Sequence, residues 1–231
     1  MLIDGDLLHF CAAKTREVAE EHDKACGAPF GQGLPRSAED LHWIMCGRHG
    51  FPIHHKVLDK RPSLHWTQAK FRSFYIPYNA QRQKLGPDAT AIQIAECWIF
   101  YAHGMSPEQL RFYKTKELLQ IHLWQEALAT RDIVDLVHNM IVRETPQALD
   151  LNLGHSTTSD TLGEVAAMEF LFPLEHRLAY LEKGAGRDGV AKLADDYKIP
   201  AFVVQRALAN AENLKDFFRP SKAADDAKAG Q

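Results

Sequence analysis

The segment Asp88-Ala-Thr-Ala-Ile-Gln-Ile-Ala-Glu96-Cys-Trp-Ile-Phe-Tyr-Ala-His103-Gly104 decides how the middle of the chain is read. Ile92, Ala95, Ile99 and Ala102 form one helically spaced set, and Ile94, Trp98 and Tyr101 form a second. Apolar residues on nearly every side at that spacing predict a buried, central helix. Asp88 or Thr90 is placed to cap its start, and Gly104 to end it. The one charge in its middle, Glu96, needs a partner or a task, because an isolated carboxylate in an apolar helix is costly.

The chain around this segment has 231 residues, enough for one large domain or two small ones. Hydrophobic residues make up 45% and charged residues 25%, a balance that suits a soluble globular fold. A formal net charge of −3 gives no whole-chain electrostatic case for nucleic acid. The four cysteines, Cys11, Cys26, Cys46 and Cys97, form no C-x-x-C and are read as reduced thiols. The start, Met-Leu-Ile-Asp-Gly-Asp, lacks a basic region and a long apolar run, and no stretch has the length of a membrane span. A cytoplasmic location without membrane attachment is expected.

Toward the N-terminus, residues 2–26 read as an amphipathic helix with Leu7, Leu8, Phe10, Cys11 and Val18 on one side. A Gly- and Pro-rich linker follows over 27–36. Ser37 is a good N-cap for a second helix through Leu41, Ile44 and Met45 to Gly47 or Gly50, with Asp40 at the third helical position. Phe51 to Leu58 reads as extended, and Phe71 to Tyr78 as a strand near a sheet edge, since Pro77 cannot donate to a ladder. Beyond Gly104, Ser106, Pro107 and Gln109 form a helix start of the capping-box type. The apolar stripe Leu110, Tyr113, Leu118, Ile121, Trp124 and Leu128 predicts a helical hairpin over Met105 to Glu144. The last residues, from Pro220, are small and charged and predict disorder.

Two stretches carry a family likeness. Ile92-Gln-Ile-Ala95-Glu96-Cys97-Trp98-Ile99, followed by His103-Gly104, resembles the motif helix of the ImmA/IrrE-type metallopeptidases. In that family H-E-x-x-H sets two imidazoles one turn apart, with the glutamate beside a metal-bound water. Asp160 to Pro173 resembles the family's second motif, whose leading acid supplies the third zinc ligand. Aligned on Pro173 that acid is Asp160, with Glu164 one turn later. Leu193, Ala194, Tyr197, Ile199, Val204 and Leu208 fit the family's closing element. The likeness covers about residues 37–104 and 160–210. It implies an α+β fold, mainly helical with a small antiparallel sheet, on a zincin-like scaffold. The domain would span 37–217 with 105–158 as a helical insertion, preceded by a helix and linker over 1–36 and followed by a tail over 218–231.

In that register Glu96 matches, but Ala95 and Ile99 stand where the zinc-binding histidines belong, and neither side chain binds zinc. The resemblance then implies a catalytically silent scaffold, with Glu96 vestigial and no metal or cofactor, that binds a regulatory protein such as a repressor or other transcription factor. The hairpin, with Tyr113 and Trp124, is the expected binding or covering element. One rival is a zinc peptidase with a relocated site using His103, Asp160 or Glu164. Another is a nucleic-acid-associated regulator, for which Lys70, Arg72, Arg82 and Lys84 lie among Trp66, Phe71, Phe74, Tyr75 and Tyr78. His122 and His138 are further histidines on the hairpin.

Overall fold

Helix α1, Gly5–Cys26, buries Leu7, Leu8, Cys11, Ala12, Thr15, Val18, Ala19 and His22 along one stripe, as its amphipathic spacing requires. The structure is a computed structural model and describes residues 2–3, 5–27, 35–59, 69–75, 94–129, 149–150, 158–184 and 188–218. Helix α2, Ala38–His49, begins as its sequence predicts: Ser37 Oγ accepts from the backbone N–H groups of Glu39 and Asp40. It ends at Gly50, whose φ of 70° lies in the left-handed region that glycine enters freely. Strand β1, Leu2–Ile3, pairs antiparallel with β5, Leu149–Asp150.

The segment expected to be the central helix is a strand over its described part. β4, Ile94–Tyr101, is the middle strand of a three-stranded sheet ordered β2-β4-β3, where β2 is Ile53–Val57 and β3 is Ala69–Tyr75. β3 pairs antiparallel with β4, but β2 runs parallel to it, so the sheet is mixed rather than antiparallel throughout. β3 holds the edge position anticipated for it. The reason for the misreading is physical. A short run apolar on all sides fits a covered strand as well as a buried helix. Isoleucine, tryptophan, phenylalanine and tyrosine favour the strand. Burial in β4 has the strand period of two: Cys97, Ile99 and Tyr101 are buried, whereas Glu96, Trp98 and Phe100 between them are only partly covered.

Helix α3, Pro107–Ala129, starts on the anticipated capping box. The Gln109 N–H donates to Ser106 Oγ at 3.2 Å, and the Ser106 N–H donates to Gln109 Oε1 at 2.9 Å. Read from sequence as part of an inserted hairpin, α3 is central to the core, packing on α2, on β3 and β4, and most extensively on α4, Thr158–Leu171. The rest of the anticipated hairpin, including His138, lies outside the described residues, as does the anticipated 218–231 tail except Phe218, which is helical and buried rather than part of a tail. α4 carries Val165, Ala166, Phe170 and Leu171 into the same core and also packs on α1.

Four shorter helices complete the fold: α5, Leu174–Glu182; α6, Asp188–Tyr197; α7, Ala201–Ala209; and α8, Ala211–Phe218. α6 and α7 pack on one another across Pro200, and α8 closes against α1 and α5. The described chain is therefore α+β and mainly helical, with eight helices. None of these is long and apolar enough to cross a membrane.

Candidate functional site: a buried lysine network between two central helices

Ten consecutive residues of α3, Lys114 to Leu123, are buried. A helix covered on all sides is ordinarily apolar. Here Lys114, Thr115, Lys116, Glu117, Gln120 and His122 are polar or charged. Buried polar groups persist only where partners satisfy them, so this stretch is where a functional arrangement is to be sought.

The partners are supplied within α3 and by α4. The Lys116 ammonium, 3% exposed, donates to Glu117 Oε1 at 2.9 Å and to Asp160 Oδ1 at 2.8 Å, with Gln120 Oε1 at 3.5 Å. Gln120 Nε2 approaches the same Asp160 oxygen at 3.4 Å. The three N–H donors of one ammonium thus face three acceptors. Burial alone would lower the lysine pKa, but the carboxylates of Glu117 and Asp160 outweigh it and hold the pKa above its ordinary value. Lys116 is therefore a cation at neutral pH, between two acids.

Gly163 brings the helices close enough for this contact. A Cβ at that position would lie 3.1 Å from Gln120 Cβ and 3.4 Å from Lys116 Cγ. One turn after Asp160, Glu164 is held by Arg206 Nη1 of α7 at 2.7 Å, although burial pushes its carboxyl pKa up. Tyr113 is half-buried alongside, and burial raises its hydroxyl pKa.

The anticipated site residues are redistributed accordingly. Asp160 and Glu164 do reach the central helices, as ion-pair partners of Lys116 and Arg206. Glu96 is on β4 with its side chain 40% exposed and His54 Nε2 at 3.5 Å, so it is neither buried nor near a helical motif. On a strand, Ala95 and Ile99 do not stand one helical turn apart, and the comparison with H-E-x-x-H fails there. His103 is exposed in the turn after β4 rather than at a helix end. Tyr113 and Trp124 are half-buried on α3 rather than presented to solvent. Lys70 and Arg72 stand on the edge strand β3, and Arg82 and Lys84 lie outside the described residues.

Sequence reasoning missed Lys116-Glu117-Leu118-Leu119-Gln120. This run has the spacing of H-E-x-x-H, with lysine and glutamine in the two histidine positions and the glutamate kept. The signal was a glutamate flanked at the right intervals by polar residues inside a helix otherwise read by its apolar stripe.

Two histidine pairs lie nearby. His55 Nε2 is 2.8 Å from His42 Nδ1, and His55 Nδ1 is 2.7 Å from the Tyr101 hydroxyl. Burial, with Lys114 and His42, lowers the His55 pKa to about 4. His122 Nδ1 is 3.2 Å from His49 Nε2. Burial, His49 and the cations Arg48 and Lys14 lower the His122 pKa to about 3 against the opposing effect of Glu126. No protein-family model matches the chain, and no curated protein matches it significantly.

Proposed function

We propose that this protein is a metallopeptidase-like scaffold whose metal centre has been replaced by a fixed lysine cation, and that it acts by binding a regulatory protein rather than by cleaving peptides. The observation carrying this reading is the quartet Lys116, Glu117, Gln120 and Asp160. The Lys-Glu-x-x-Gln spacing on α3, with an acid on α4, resembles the H-E-x-x-H-plus-acid arrangement expected of an ImmA/IrrE-type zinc site, on the α3 register instead of the β4 one. The ligand chemistry has changed. A protonated lysine offers no lone pair, and zinc takes histidine, cysteine or carboxylate. A dication bound by neutral imidazoles has given way to a tethered monocation neutralised by two carboxylates. Glu117 engages that ammonium and has no metal-bound water to deprotonate.

Binding is the role left to such a scaffold, and the resemblance makes a repressor or other transcription factor the expected kind of partner. On α2, Trp43 presents an indole 69% exposed, the type of side chain that anchors protein contacts. Catalytic silence is tested by incubating the full chain with zinc and an unstructured peptide pool and reading cleavage by mass spectrometry. No zinc-dependent cleavage is expected, and the peptide spectrum should be the same with Glu117→Gln. Cleavage that requires zinc and disappears in Glu117→Gln would overturn the reading in favour of a peptidase with an atypical site.

A further inference from the structure

A second group of metal-type donors lies where the end of α1 meets the start of α2. His22 and Cys26 are one helical turn apart on α1, and Asp40 is in the first turn of α2. Among the described residues these form the one cluster of three whose donor atoms all lie within 4.8 Å of one another. Cys26 Sγ is 3.7 Å from His22 Nε2 and 3.5 Å from Asp40 Oδ2. Tetrahedral zinc with Zn–S of about 2.3 Å and Zn–N or Zn–O of about 2.0–2.2 Å separates sulfur from its neighbouring donors by about 3.6 Å. Cys26 Sγ is already at that spacing from both of its neighbours.

The histidine is also set for the task. His22 is 4% exposed and accepts the Ser37 N–H on Nε2 at 3.1 Å, so Nε2 carries a lone pair and Nδ1 carries the hydrogen. Nδ1 faces Asp23 Oδ1 at 3.4 Å, and Asp23 is itself clamped by Arg36 through Nε at 2.8 Å and Nη2 at 2.7 Å. A carboxylate behind the histidine is the usual means of orienting an imidazole toward a metal. Cys26 and Asp40 are exposed, which gives an ion a path in from solvent.

We infer that His22 Nε2, Cys26 Sγ and Asp40 Oδ2 form a zinc site with three protein ligands and a water as the fourth, fastening the end of α1 to the start of α2. On binding, the Cys26 thiol releases its proton to solvent and the thiolate bonds the metal. The Ser37 N–H leaves His22, and a carboxylate oxygen of Asp40, at the third position of α2, takes it up as in a capping box. The site is separate from the Lys116 quartet and does not depend on the reading given to that quartet.

The test uses cobalt(II) as a spectroscopic substitute for zinc, added to the reduced full-length protein. One equivalent should produce a thiolate-to-cobalt charge-transfer band in the near ultraviolet, and an equivalent of zinc should abolish it. Cys26→Ser, a change at an exposed position, should remove the band with the fold intact by circular dichroism. Asp40→Asn should weaken cobalt binding at least tenfold. No band in the unaltered protein, or a full band in Cys26→Ser, would overturn the inference. Unchanged affinity in Asp40→Asn would overturn the assigned ligand set.

Discussion

Lys116 on α3 and Asp160 on α4 are joined by an ion pair of 2.8 Å through the middle of the protein, 44 residues apart in sequence. The lysine is 3% exposed and its second partner, Glu117, is 1% exposed. Such a network stabilises little relative to an apolar core, yet removing the lysine takes one shared cation from two carboxylates.

Lys116→Met should therefore destabilise the protein by about 3–5 kcal/mol, because Glu117 and Asp160 lose their shared cation. Asp160→Asn should cost less, since Asp160 is 24% exposed and Glu117 still balances the lysine. Urea unfolding of both variants at neutral pH checks the order. Equal effects would mean that Lys116 is not the centre of the network.

Gly163 supplies a second check on the α3–α4 contact. In a helix interior alanine is favoured over glycine by about 1 kcal/mol. Here any Cβ presses on Gln120 and Lys116, so Gly163→Ala should show none of that gain. Gly163→Val, with two further carbons, should destabilise by about 1–3 kcal/mol. Thermal unfolding of the two variants decides it.

Stability should also fall with acid through His122. Its pKa is lowered from 6.5 to about 3 by burial, His49, Arg48 and Lys14. Below pH 6.5 the unfolded chain takes up a proton that the folded chain refuses until about pH 3. The neutral ring's contribution is thus complete above pH 6.5 and is lost progressively as pH drops through that window. His122→Leu should flatten the dependence of unfolding free energy on pH between about 6.5 and 4. Denaturant midpoints at intervals across that range provide the measurement, and an unchanged slope would contradict it.

What could be read from sequence followed the locality of the signal. Ser37, Gly50, Ser106 and Gln109 act within one turn, and their caps form as their chemistry dictates. β3 lies at the sheet edge among the described strands, as expected for it, although Pro77, on which that expectation rested, lies outside the described residues. β4 was misread because Trp98 and Phe100 make its partly covered face apolar as well, which erases the polar alternation that separates strand from helix. What remained was the choice of residue type, with Ile94, Trp98, Ile99, Phe100 and Tyr101 favouring the strand. The quartet was not legible for a different reason. Nothing in the spacing of Lys116, Glu117 and Gln120 says that α3 is covered all round, and only the packing of α4 through Gly163 brings Asp160 to the ammonium.

The central claim is that Lys116 and Gln120 stand where two metal-binding histidines would stand. The direct measurement is the metal content of Lys116→His/Gln120→His, made in a Cys26→Ser background so that any ion at α1 and α2 is removed from the count. After dialysis against buffered zinc, elemental analysis should find one zinc per chain in this variant and none in the Cys26→Ser parent, with the gain lost on adding Asp160→Asn. A folded variant that takes up no zinc, or one that keeps its zinc without Asp160, would contradict the account.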